Sequence, residues 1–309
     1  MARVLFLFLD GVGLASDNPT SNPFTTARMP TLKTLLGGRR LLVSTAPYEG
    51  NIATLLAADA CLGIAGKPQS ATGQAAILTG RNIPKLIGSH YGPKPNPPIA
   101  EIITENNIFI EVKQRGGTAA LLNAFPPRYF EAIHSGRRLY SSITLAVKTA
   151  GFDLMSAQDL QANRALSADF TGVGWVAQPS FPPAPVYTPS EAGALLAHLS
   201  LDYHLAWFDF WPPDYAGHRG TYSEAVEMLE SFDAVLGGMV DNWATREDLI
   251  VITSDHGNLE DLEQRGHTRN PVPALLIGPE ELRHDFASGL EDLTDFAPAV
   301  IRTIFGPDS

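Results

Sequence analysis

The run Leu249-Ile250-Val251-Ile252, closed by Thr253-Ser254-Asp255-His256-Gly257-Asn258, narrows the folds open to this chain. Its apolar residues are continuous rather than alternating, which predicts a strand covered on both faces, as in a parallel sheet. Gly257 and Asn258 end it. Asp255 and His256 therefore fall at the carboxyl end of a central strand, where open α/β sheets bind ligands. A carboxylate beside an imidazole suits a divalent cation. The same dipeptide also occurs in ordinary surface turns, so the rest of the chain has to decide.

The chain has 309 residues, enough for one large domain or two smaller ones. Its net charge of −11 argues against non-specific binding to nucleic acid and against docking on an anionic membrane. An anionic substrate stays open, because bound cations reverse a local field. Cys61 is the single cysteine, which rules out an internal disulfide and a thiolate zinc site and fits a reducing, cytoplasmic setting. The apolar stretch Val4–Leu9 is too short for a signal segment or a membrane span.

Val4–Leu9 is instead a second buried-strand candidate, and Asp10-Gly11-Val12-Gly13 ends it. Asp10 is a turn residue or cap on one reading and a ligand on the other. Tyr203–Phe210 predicts a third strand, followed by Pro213-Asp214-Tyr215-Ala216-Gly217-His218. Asp214 and His218 are four apart, so one helical turn or a tight loop could point both at one ion. His267 follows in the loop after Asn258. If these strands are parallel neighbours, Asp10, Asp214, His218, Asp255, His256 and His267 converge on one sheet edge. That many carboxylates and imidazoles suit a two-metal site. Oxygen and nitrogen donors without thiolate favour Mn²⁺ or Zn²⁺.

Between these strands, Gln69-Ser70-Ala71-Thr72-Gly73-Gln74 opens a small-residue helix. Ser70 or Thr72 is an N-cap on the plain reading. On the functional reading it is a nucleophile at a phosphate-binding helix start. Helical spacing is also predicted for Pro30–Leu36, Ile99–Val112, Tyr129–Ile133, Ser141–Ala150, Ser190–Leu199, the amphipathic stretch Ala225–Val240 and Leu290–Ile304. Leu41–Thr45 reads as an edge strand, and Gly117–Leu122 and Ala274–Ile277 as further strands. Proline-rich borders mark residues 98–190 as an inserted cap between the core segments 1–97 and 191–309.

The order of these motifs resembles the alkaline phosphatase superfamily, and within it the cofactor-independent phosphoglycerate mutase and phosphopentomutase branch. The resemblance rests on Phe8-Leu9-Asp10-Gly11-Val12-Gly13, Pro213-Asp214-Tyr215-Ala216-Gly217-His218, Ser254-Asp255-His256-Gly257-Asn258 and His267-Thr268-Arg269-Asn270-Pro271-Val272-Pro273. It implies a three-layer α/β core with a mainly parallel sheet and a small α+β cap. It implies one ion on Asp214, His218 and His267, and another on Asp10, Asp255, His256 and the oxygen of Ser70. It implies Ser70 as the nucleophile, with Thr72 as rival, passing through a phosphoserine. The family's histidine in the nucleophile motif is Gln74 here, and the sulfatase pattern is absent. The long basic and histidine motifs of the large mutases do not occur in 98–190. Arg81, Lys94 and Arg137 stand as candidate substrate contacts. The expected activity is phosphoryl transfer from a small phosphorylated metabolite, as a phosphatase. The alternatives are a phosphomutase and a non-catalytic metal-binding protein, the latter disfavoured by the intact hydroxyl at Ser70.

Overall fold

The computed structural model describes residues 1–243 and 247–306. Nine strands occur among them: β1 (Val4–Leu9), β2 (Tyr48–Glu49), β3 (Ala53–Ala58), β4 (Ala119–Leu121), β5 (Ala124–Phe125), β6 (Met155–Ser156), β7 (Leu205–Phe210), β8 (Leu249–Thr253) and β9 (Val272–Ile277). Seven form one sheet in the order β2-β3-β9-β8-β1-β7-β4. β8, β1, β7 and β4 pair in parallel, whereas β9, β3 and β2 pair antiparallel. The carboxyl ends of β1, β7 and β8 and the start of β9 therefore share one edge.

The helices are α1 (Pro30–Leu35), α2 (Ser70–Thr79), α3 (Ile83–Ile87), α4 (Pro97–Glu105), α5 (Ile108–Gln114), α6 (Pro127–His134), α7 (Ser142–Thr149), α8 (Ala157–Gln161), α9 (Val173–Val176), α10 (Pro189–Ser200), α11 (Pro212–Arg219), α12 (Tyr222–Asn242), α13 (Glu280–Ala287) and α14 (Phe296–Phe305). They cover both faces of the sheet. Val4, Phe6 and Phe8 pack with Trp207, α2, α4, α5, α7 and α14. Leu5, Leu7 and Leu9 point the other way, onto α1, α10 and α12. Every residue of β1 is buried, which is why its apolar run is unbroken. No described helix is long and apolar enough to cross a membrane.

Local sequence sets the helix ends. Thr221 and Glu224 form a capping box at the start of α12, and Thr188 with Glu191 does the same for α10. Asn107 caps α5 and interrupts the expected Ile99–Val112 helix, so that stretch becomes α4 and α5. Leu41–Thr45 is not a strand. It ends in a short 3-10 turn, and the sheet edge is formed by β2 and β3 instead.

The expected cap over 98–190 divides. Its first part belongs with the core: β4 hydrogen-bonds β7, and α4, α5 and α7 bury Ile99, Ile103, Phe109, Val112, Ile143 and Val147 in the main core. Proline borders mark turns, and a turn inside a packed layer looks like one between layers. Beyond β4, the β5–β6 pair, α8 and α9 gather a separate small core of Ala124, Ala157, Leu160, Ala165 and Trp175.

Candidate metal centre and catalytic pocket

Three connections deliver the acidic and imidazole groups. The first is the turn after β1, where Gly11 has φ +74° and a Cβ would meet the side chain of Asp214. Only glycine takes that conformation without strain, so this tight turn brings Asp10 beside the second connection, α11. That helix sets Asp214 and His218 on one face, with His218 Nε2 3.4 Å from Asp214 Oδ1. The third is the loop between β8 and β9. It carries Asp255 and His256, both fully buried, and returns His267 so that its ring stacks on His256 at 3.6 Å.

The distances define two overlapping clusters. His256 Nε2 lies 3.5 Å from Asp10 Oδ1 and 3.7 Å from Asp255 Oδ2. His267 Nε2 lies 3.6 Å from Asp214 Oδ1. Asp10, Asp255 and His256 have ligand atoms within 4.8 Å of one another, and so do Asp214, His256 and His267. His256 belongs to both. His218 joins Asp214 and faces His267 at a ring distance of 5.2 Å.

The electrostatics fit a cation. Burial, then the charges of Asp255, Asp214 and Asp209, raise the Asp10 carboxyl well above its ordinary range. Burial and the charge of Asp214 do the same to Asp255. Burial first, then the neighbouring rings of His267 and His218, push His256 well below its usual value. His267 is lowered mainly by burial. Asp10 Oδ1 is buried and accepts no hydrogen bond among the described residues. Clustered carboxylates and neutral imidazoles with an unused oxygen are costly alone and complementary to divalent ions.

A surrounding shell of hydrogen bonds orients the set. His267 Nδ1–H donates to the Pro68 carbonyl at 2.7 Å, which leaves its Nε2 lone pair facing Asp214. Asn258 Nδ2 donates to Asp214 Oδ1 at 2.7 Å. Gln74, where the resemblance leads one to look for histidine, donates from Nε2 to Asp255 Oδ2 at 3.3 Å. Glu260 is buried and ties the loop after β1 to both ends of the β8–β9 loop. It accepts from Gly13 N at 2.9 Å, Asn258 N at 2.8 Å, Asn270 Nδ2 at 3.0 Å and the Thr268 hydroxyl. Sequence reasoning missed Glu260, because an acid two residues past a turn has no periodic signature.

Ser70 is the first residue of α2, with Gln69 at the N-cap position, and its Oγ lies 3.1 Å from His256 Nε2. Gly73, one turn on, lets the helix approach closely, since a Cβ there would meet the Asp255 carbonyl at 2.7 Å. Thr72 points elsewhere: its hydroxyl donates to the Gln69 carbonyl at 3.0 Å and accepts from Tyr91 N at 3.3 Å. A cavity of about 980 Å³ opens above Ser70, Asp10 and Asp214. Its outer wall holds Phe125, Tyr129 and Trp175, with the cations Lys94, Arg128, Arg137 and Arg138. Lys94 and Arg137 thus line it, but Arg81 does not. Arg81 lies past the far end of α2 and pairs with Glu105 at 2.7 Å on the surface. A basic residue near a motif in sequence stood a helix length away from it in space.

A protein-family model described as Metalloenzyme superfamily matches residues 191–305. The 2,3-bisphosphoglycerate-independent phosphoglycerate mutase of Syntrophotalea carbinolica is 33% identical over 120 residues, covering 37% of this chain and 23% of that protein. The enzyme of the same name from Brugia malayi is 28% identical over 134 residues, 40% of this chain and 25% of its own length. The matched region is thus about a quarter of each relative. Among solved structures, the PH0037 protein of Pyrococcus horikoshii has a TM-score of 0.59 at 16% identity, covering 100% of this chain and 98% of that one. The cold-active alkaline phosphatase of Shewanella sp. has a TM-score of 0.53 at 13% identity, covering 98% of this chain and 100% of that one. Residues 191–305 thus match the metalloenzyme-superfamily model, and the chain has an alkaline-phosphatase-like α/β fold.

Proposed function

We propose that this chain is a two-metal phosphoryl-transfer enzyme acting on a small phosphate monoester through Ser70, and that it works as a phosphatase. The observation that carries this reading is the place of the Ser70 hydroxyl. It stands on the cavity floor, in the first turn of α2, 3.1 Å from His256 Nε2 and next to the clustered carboxylates. Asp214, His218 and His267 would hold one ion, and Asp10, Asp255, His256 and Ser70 Oγ the other. Mn²⁺ or Zn²⁺ suits these donors. Bound there, the ions supply positive charge for the transferring phosphoryl group and lower the pKa of the serine hydroxyl.

The chain's own groups do the rest. The start of α2, with the N–H groups of Ser70 and Ala71, favours an anion beside Ser70, while the Thr72 N–H donates to the Tyr91 carbonyl at 3.0 Å. Ser70 Oγ gives up its proton to water in the cavity and bonds to phosphorus as the bond from phosphorus to the alcohol oxygen breaks. That oxygen takes up a proton from water in the cavity. Water then attacks the phosphoserine, releases inorganic phosphate and restores the hydroxyl. Lys94, Arg128, Arg137 and Arg138 draw the anion in, which offsets the net charge of −11. The segment from β5 to α9 acts as the cap over the cavity.

The mutase relatives favour a second reading, in which the cap retains the alcohol and the phosphoryl group returns to another of its hydroxyls. Incubation with Mn²⁺ and a panel of phosphate esters separates the two. Free phosphate is the expected product. Isomerised ester without free phosphate would overturn the hydrolase reading. Turnover that survives Ser70→Ala would overturn both.

A further inference from the structure

β7 delivers one more carboxylate to the cavity. Asp209 is the next-to-last residue of the strand, on the same face as Trp207, and pairs in register with Phe8. Asp10, two residues beyond Phe8, therefore projects beside it. The backbone of Asp209 is fixed: its N–H donates to Asn123 Oδ1 at 2.7 Å, and its carbonyl accepts from Asn123 Nδ2 at 2.8 Å. Its side chain is uncommitted. Oδ1 is buried and has no hydrogen-bond partner among the described residues. Lys94 lines the same cavity and feels the Asp209 charge, yet the two do not meet as an ion pair among the described residues. Lys94 sits between Pro93 and Pro95, which limit its backbone.

Opposite charges that share a cavity ordinarily pair, and buried acceptors ordinarily find donors. Here both line one cavity without meeting as an ion pair among the described residues. A second phosphate in that space would suit Lys94 and be repelled by Asp209. An ammonium group would do the reverse. A hydroxyl satisfies both, since its O–H donates to the carboxylate while its lone pairs accept from the ammonium.

We propose that Asp209 and Lys94 read a hydroxyl on the alcohol part of the substrate, so that the preferred substrate is a phosphate monoester of a hydroxylated alcohol. This rests on the phosphoryl-transfer reading above, but it is also tested by binding alone. The Mn²⁺-loaded full chain is given glycerol 1-phosphate and propyl phosphate, which share the phosphoryl group and differ in adjacent hydroxyls. A charge-assisted pair predicts a preference for the glycerol ester in kcat/KM on the order of 10- to 100-fold. Asp209→Ala and Lys94→Met should each bring that ratio to within about threefold of one, by the same reasoning. Because the folded role of Asp209 runs through its backbone, the variants should keep their circular dichroism and melt no lower than wild type. Asp209→Asn serves if the alanine variant unfolds, and it should weaken the preference. In parallel, calorimetric titration of Ser70→Ala with both esters should show the same ranking in Kd, lost in the Ser70→Ala/Asp209→Ala double variant. No turnover of either ester by the wild type, with the Kd ranking present, would sink the phosphoryl-transfer reading and keep the pair. An equal response to both esters in the wild type, or a preference unchanged in folded Asp209→Ala and Lys94→Met, would overturn it.

Discussion

Glu260 shows how a side chain outside the proposed ligand set decides the geometry within it. Its carboxylate receives donors from the loop after β1 and from both ends of the β8–β9 loop, in a largely buried setting. Glu260→Ala strands these donors, and loss of a buried charge-assisted network costs about 3–5 kcal/mol. Urea unfolding should show that loss, and Mn²⁺ affinity should fall about 10- to 100-fold, as for other groups that orient ligands. Asp209 gives a prediction about pH. In chelator-treated protein, burial raises its carboxyl from 3.8 to about 7, opposed by Lys94. Between those values the folded state binds more protons than the unfolded chain, so this group's contribution to stability falls as pH rises through the window and is level above it. Asp209→Asn removes that loss. Thermal melts should show the variant more stable than wild type at pH 8, with the gap closing toward pH 4. The clustering of Asp10, Asp214 and Asp255 was legible because each comes soon after an apolar run that ends abruptly. Asp209 was not, because it lies inside its run, where one polar residue reads as a strand position facing solvent.

At the scale of elements, the strands β1, β7 and β8 and the long helix α12 were plain from periodicity alone. β2 and β3 were not. They carry the short sequences Tyr48–Glu49 and Ala53–Ala58, and the pairing of β3 with β9 is long-range, which no local pattern records. The α10–α12 contact was equally hidden, because it depends on glycines rather than on large apolar residues. A Cβ on Gly193 would strike the Val235 carbonyl, and one on Gly238 would strike the Ser190 carbonyl. Both obstacles are backbone atoms that no rotamer change can move. Gly193→Ala and Gly238→Ala should each destabilise the fold by about 1–3 kcal/mol, the usual cost of overpacking, despite the better helix propensity of alanine. Denaturant titrations check this. A gain in stability from either variant would mean that the helices are free to move apart.

The whole molecule joins these scales at one sheet edge. The loops that close the layers there hold carboxylates and imidazoles that crowd one another, so the edge is a weak point of the bare fold and a strong point of the metal-loaded one. Ions that bind the folded edge and not the unfolded chain stabilise by mass action, about 2.7 kcal/mol when their concentration is 100 times Kd. EDTA should therefore lower the melting temperature by several degrees, and Mn²⁺ or Zn²⁺ should restore it. The two clusters share His256, but the proposed ions divide the rings, His267 to one and His256 to the other. That division gives the sharper expectation, read as metal content by mass spectrometry. His267→Ala should lose one equivalent and keep part of the metal-dependent melting shift, and His256→Ala should lose the other equivalent. Loss of both equivalents from either variant, with the fold intact by circular dichroism, would mean that the clusters act as a single site and that the assignment of two separate ions is wrong.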